Sequence, residues 1–176
     1  MSGDMSKNND SIFVAQKGYT LIEMMVVVVI VAILAAIAIP SYERCVVRAA
    51  RSQAQAEMLK IAERLENYRG KQLSYAGFKP EHQYANNEGI VNIPYDATTN
   101  YKYQIQLVDE DDPTKSVEKS AVGQGWKMIA TPYQDGNNTL KSSESLLLTS
   151  LGVRCMTTAL LTNTSVDCGD GTKVWE

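Results

Sequence analysis

The chain has 176 residues, 44% hydrophobic and 21% charged; that composition excludes a disordered or collagen-like polypeptide and suits one domain plus an anchoring segment. Its formal net charge of −3 is unevenly divided: residues 41–76 hold seven Lys/Arg against four Asp/Glu, net +3, and residues 77–176 hold eight against thirteen, net 8 − 13 = −5. An acidic C-terminal region excludes the domain-wide basic footprint of a general nucleic-acid binder and leaves only a local patch for such a role.

Residues 1–18 are polar, carry Lys7 and Lys17, and end in Gly18 immediately before an apolar run. From Met24 to Ile39 no residue is polar, a run of 16, and with Tyr19 to Glu23 the stretch reaches 21. That matches the ~20 residues needed to span a bilayer. Ala36-Ile37-Ala38 could serve as a signal-peptidase site, so a cleaved secretory signal is the competing reading. Against it stand the long polar leader, the acid at the entrance to the core and a helical pattern that continues beyond the supposed cut. Glu23 is the anomaly: a carboxylate in such a segment costs ~3 kcal/mol on insertion scales and calls for a specific partner.

Pro40 removes one helix hydrogen bond and predicts a kink or local melting. The helical period then resumes, with Ala50, Ala54, Met58, Ile61, Leu65 and Tyr68 on one face and Arg51, Gln55, Lys60, Arg64 and Arg69 between them. The chain therefore predicts one long helix over 19–71. Its half 19–39 is apolar and its half 41–71 amphipathic. Cys45 falls in this helix, where a small buried thiol is the simple expectation and an intersubunit bridge the alternative.

Residues 72–100 read as a connecting loop rich in Ser, Gly, Pro, Asn and aromatics. Strands are predicted at Tyr101 to Leu107, Gly125 to Thr131, Leu146 to Ser150 and, shorter, Val153 to Met156, with a turn at Asp135-Gly136-Asn137-Asn138. An antiparallel sheet over 101–176 packed on the apolar helix face gives an α+β fold. Cys155 and Cys168, with turn formers between and after them, suit a disulfide closing a short loop in an oxidising compartment.

The run Lys17-Gly18-Tyr19-Thr20-Leu21-Ile22-Glu23, followed by the apolar stretch, Pro40-Ser41-Tyr42 and an amphipathic helix, resembles the signal and stem of type IV pilins. The resemblance implies that an inner-membrane prepilin peptidase cuts between Gly18 and Tyr19 and methylates the amino group of Tyr19, where the family usually carries Phe. It also implies a partner for Glu23. The new amino terminus of one subunit and the Glu23 of its neighbour, each costly in an apolar bundle, become acceptable together. The head, with "WKMIATP", "LLLTSLGVR" and Trp175, is similar to PilE-type minor pilins and the related ComP pilin that captures DNA. Implied partners are other pilins, the peptidase, the inner-membrane assembly platform and the membrane before assembly. The implied function is a minor pilus subunit supporting pilus assembly, twitching motility or adhesion, on the cell surface once assembled, with a secretion pseudopilin or a DNA-binding pilin as alternatives.

No catalytic constellation stands out. His82, the only histidine, reads as solvated, and no nucleotide-binding glycine motif or paired CxxC is present. No cofactor and no metal is expected. Asp109-Glu110-Asp111-Asp112 could hold calcium but lacks the glycine and distal glutamate of an EF-hand, so a hairpin tip is the simpler role; Asp167-Cys168-Gly169-Asp170-Gly171 reads as a turn for like reasons. Asn137 and Asn163 open Asn-x-Ser/Thr triplets. For a DNA-binding head the candidates are Lys127, Lys141, Arg154 and Lys173, with aromatic faces for stacking, although the acidic head favours reading them as ordinary surface lysines and arginine.

Overall fold

The computed structural model describes residues 18–84, 87–95, 97–135, 138–169 and 172–175. It divides into two compact units, Met1–Pro40 and Ser41–Glu176. A single helix, α1 (Leu21–Gln72), belongs to both, with Pro40 inside it. Thr20 starts this helix: its hydroxyl accepts the Glu23 amide at 3.2 Å, and its carbonyl accepts the Met24 amide at 3.2 Å. A Thr with Glu three residues later is the sequence of a capping box, and the carboxylate lies where the helix dipole favours negative charge. Arg69 and Lys71 occupy the last turn. Leu73 adopts φ 60° and returns its amide to the Arg69 carbonyl at 2.7 Å, closing the helix end.

The second unit is built on five antiparallel strands in sequential order: β1 (Ile90–Ile93), β2 (Tyr103–Asp109), β3 (Trp126–Pro132), β4 (Ser145–Thr149) and β5 (Arg154–Thr157). β1 lies inside the segment expected to be loop. Its IVNI sequence is four residues long and acquires strand geometry by pairing with β2, Val91 opposite Ile105 and Ile93 opposite Tyr103. β2 also begins and ends two residues later than expected, so that Asp109 is a strand residue and not part of the hairpin tip.

Alternation decides what each sheet face touches. Tyr103, Ile105, Leu107, Trp126, Met128, Ala130, Leu146, Leu148 and Met156 point toward α1, where they share a core with Ala50, Ala54, Met58, Ile61 and Leu65. Burying each large member contributes roughly 1.5–3 kcal/mol relative to exposure. On the opposite face, Ile129, Leu147 and Cys155 form a second, smaller cluster with Leu161 and Cys168 of the C-terminal segment. A disulfide joins Cys155 to Cys168, and Lys173 forms a two-way backbone bridge with Met156 at 2.9 Å in each direction. The C-terminal segment therefore covers part of the sheet face turned away from the helix.

The segment after α1 is stitched to the β2–β3 connection. The Tyr75 amide bonds the Gly123 carbonyl at 3.0 Å and the Gly77 amide bonds Val117 at 3.2 Å. Gly123 has φ +62°, and a Cβ there would lie 2.2 Å from the Ala76 amide nitrogen, so only glycine permits this approach. A short helix α2 (Asn138–Lys141) follows the turn after β3; Gly136 and Asn137 of that turn lie outside the described residues.

Candidate functional site

The N-terminal unit presents its side chains outward. Gly18 is exposed with open space around it, and Tyr19 is 77% exposed. Every large apolar side chain from Leu21 to Ile39 is exposed as well. A continuous apolar surface of this extent marks a membrane or partner contact, and α1 is long and apolar enough to cross a membrane by length and composition. Glu23 is the only acid on this surface and sits one turn into the helix. The residues expected to be cut, modified and used for assembly, Gly18, Tyr19 and Glu23, are all exposed. Lys17 and the rest of the leader lie outside the described residues.

The head cations singled out in the sequence do not form one patch. Lys127 is 4% exposed and donates to the Asn163 carbonyl at 3.3 Å, beneath the C-terminal segment. Lys173 pairs with Glu144 at 3.3 Å. Lys141 and Arg154 are exposed. What the fold does assemble is a groove of about 370 Å³ lined by Arg44, Arg48 and Arg51 of α1 together with Thr139, Glu144 and Lys173. Arg51 pairs with Glu144 at 2.5 Å. Burial pushes the Glu144 carboxyl up, but hydrogen bonds from its own backbone amide and from Arg51 outweigh this and hold it below the usual carboxylate value. The sequence carried a signal for this groove, since Arg44, Arg48 and Arg51 recur at helical spacing; nothing in it announced the arrival of Lys173.

A buried carboxylate supports the connecting segment. Glu57 of α1 is 4% exposed and accepts the Tyr95 hydroxyl, with the Lys60 ammonium at 3.6 Å. His82, expected to be merely solvated, is exposed but stacks on the Tyr95 ring at 3.9 Å. Burial first, and the hydrogen bond to Glu57 second, push the Tyr95 phenol up to about 12 from its ordinary 10.0. A raised folded value stabilises the protein fully below pH 10.0, and that contribution is lost as pH climbs to about 12. Tyr95→Phe is expected to cost about 1–3 kcal/mol in urea unfolding at neutral pH by leaving Glu57 short of a donor, and to remove this Tyr95 component of the alkaline loss.

The acidic hairpin organises its own backbone. Asp109 accepts the amides of Asp111 at 2.8 Å and Asp112 at 3.5 Å. Asp112 pairs with Lys115 at 2.6 Å, and this hydrogen bond above all holds its carboxyl down at about 2. Asp167 likewise accepts the Gly169 amide at 3.0 Å. Cys45, expected to be buried, is a free and exposed thiol, because its side of α1 faces away from the sheet.

The family described as "Type IV minor pilin ComP, DNA uptake sequence receptor" matches residues 40–138, and the prokaryotic N-terminal methylation motif matches residues 14–39. A fimbrial protein of Pseudomonas aeruginosa is 38% identical over 106 residues, 57% of this chain and 64% of the relative. The type IV major fimbrial protein FimA of Dichelobacter nodosus is 55% identical over 42 residues, 24% of this chain and 27% of the relative. The type IV major pilin protein PilE1 of Neisseria gonorrhoeae is 56% identical over 39 residues, 22% of this chain and 24% of the relative. The match thus covers less than two thirds of these relatives' own lengths. No solved structure matches.

Proposed function

The chain belongs to the type IV pilin family, matching its ComP-type minor-pilin branch over residues 40–138, more than half of its length, and from that premise we propose that it is a structural, non-enzymatic minor subunit of a type IV pilus. In this reading the precursor resides in the inner membrane through its apolar helix. Prepilin peptidase cuts after Gly18 and methylates Tyr19. The assembly platform then moves the apolar half of α1 from lipid into a bundle of neighbouring pilins, and the head ends on the cell surface.

The observation that carries the proposal is the exposure of every large apolar side chain from Leu21 to Ile39, directly behind Gly18-Tyr19. Such a surface is satisfied equally by acyl chains before assembly and by other helices of the same kind afterward, as a subunit that changes between the two requires. Pro40 supports the exchange, since its missing N–H leaves the preceding turn one hydrogen bond short. Glu23 supplies the register, its carboxylate opposing the amino terminus of an adjacent subunit.

The mass of the mature N-terminal peptide, taken from a sheared-filament or membrane fraction, tests the reading. The expected peptide begins at Tyr19 and carries one additional methyl group. A peptide beginning at Ile39 would mean removal of the apolar stretch as a signal and would end the filament proposal.

A second reading, capture of DNA, is supported by the printed description of the matching family. The structure weakens the residues first suggested for it: Lys127 is covered and Lys173 is ion-paired. The Arg44, Arg48 and Arg51 groove is the alternative surface, and the experiment below separates DNA from another ligand there.

A further inference from the structure

We propose that the groove formed by Arg44, Arg48, Arg51 and Lys173 binds the phosphate of an anionic phospholipid headgroup while the chain is still in the membrane, a proposal that rests on the membrane-resident reading above. The groove has more positive charge than its own acids neutralise. Glu144 already serves both Arg51 at 2.5 Å and Lys173 at 3.3 Å. Glu43, on the neighbouring turn, accepts the Thr139 hydroxyl at 3.2 Å. Arg44 and Arg48 have no hydrogen-bond or ion-pair partner among the described residues, and both line the cavity. The Ser142 hydroxyl already donates to the Thr139 carbonyl at 3.1 Å, so the two free guanidinium forks are the donor set, suited to a phosphate group whose oxygens accept bidentate hydrogen bonds from arginine.

Position along the chain selects a lipid phosphate over other anions. Arg44 follows Ile39, the last residue of the apolar stretch, by five residues. Whatever the backbone does at Pro40, five residues reach at most ~18 Å, and an arginine side chain extends toward the headgroup layer from such a distance. The charge is also on the unexpected side. Residues 1–18 carry two basic side chains, Lys7 and Lys17, whereas residues 41–51 carry three, Arg44, Arg48 and Arg51. If these arginines served topology, the positive-inside bias would retain the head in the cytoplasm, yet the head holds a disulfide that belongs to an oxidising compartment. Their role is therefore a contact and not orientation. A single groove on a unit, Ser41–Glu176, whose net charge is 3 − 5 = −2 fits one headgroup better than the series of phosphates presented by a duplex.

The test uses the full chain reconstituted in phosphatidylcholine vesicles with a minor fraction of phosphatidylglycerol, followed by mild detergent extraction and native mass spectrometry of the retained lipid. Phosphatidylglycerol is expected to be enriched over its share of the vesicle, by about fivefold for each free arginine. Arg44→Gln combined with Arg48→Gln should abolish the enrichment. Lys102→Gln, which removes an exposed cation elsewhere on the head, should leave it intact. Retention in proportion to the vesicle composition, or equal enrichment in the double variant, overturns the proposal. Insertion into pure phosphatidylcholine is scored separately by resistance to alkaline extraction. A chain that inserts but shows no lipid preference refutes the headgroup site alone, while a chain that does not insert removes the membrane reading and this proposal with it. Displacement of phosphatidylglycerol by a short duplex at lower concentration than by inorganic phosphate would assign the groove to DNA instead.

Discussion

Glu23→Ala is expected to leave cleavage after Gly18 intact and to exclude the mature chain from filaments. Once the leader is removed, Tyr19 carries a free amino group four residues before Glu23, and both groups enter an apolar bundle on assembly. Removing one partner of a buried ion pair leaves the other uncompensated, at a cost of about 3–5 kcal/mol. That is more than a hundredfold in the incorporation equilibrium, enough to make the variant undetectable in sheared filaments beside wild-type subunits. The structure adds a competing explanation that has to be separated. Thr20 accepts the Glu23 amide at 3.2 Å, so the acid also stands at the third position of a capped helix. Thr20→Ala should cost only ~1 kcal/mol through loss of the cap and reduce incorporation modestly. Equal loss in the two variants would make Glu23 a helix-start residue, and normal incorporation of Glu23→Ala would remove its assembly role. Peptide mass, read from the membrane fraction of the same cells, reports cleavage independently of filament entry.

The double replacement Cys155→Ser and Cys168→Ser is expected to destabilise the head by about 3 kcal/mol, the chain-entropy value for a loop of this size. A thermal shift of roughly 10 °C follows for a domain of this length. The sequence separation of 13 residues is one source of the effect, and what the closed segment covers is the other. Leu161 and the disulfide lie over Ile129 and Leu147 on the sheet face away from α1, and Lys127 beneath the same segment donates to Asn163. Freed of its bridge, the segment should become the first site of limited proteolysis, and Lys127 should become reactive toward an amine-specific reagent. Full protection of the segment in the double variant would show that its apolar contacts hold it unaided.

Some features were legible in the sequence because they depend on neighbouring residues alone. A run of 16 residues without a polar side chain announces a long apolar helix segment, and the three-and-four spacing from Ala50 to Leu65 identified the buried face of α1 correctly, since a helix places such residues on one stripe whatever it packs against. Alternation likewise identified β2 to within two residues, and the strand expected at Gly125 to Thr131 is β3, so that the α+β class followed. Gly18, Tyr19 and Glu23 could be proposed as a site because the resemblance to type IV pilins rests on that same short run. Other features needed partners distant in sequence. β1 is too short to declare itself and becomes a strand only beside β2. Lys127 falls on the sheet face opposite the helix, which alternation alone assigns to solvent; the return of the C-terminal segment buries it. Glu57 reads as a surface helix residue until Tyr95 closes over it. The basic groove joins three arginines of α1 to Lys173 near the far end of the chain. Local periodicity determined the elements and their apolar faces, whereas tertiary packing decided which charges remain available, because burial and pairing depend on what covers a side chain and not on the residues beside it.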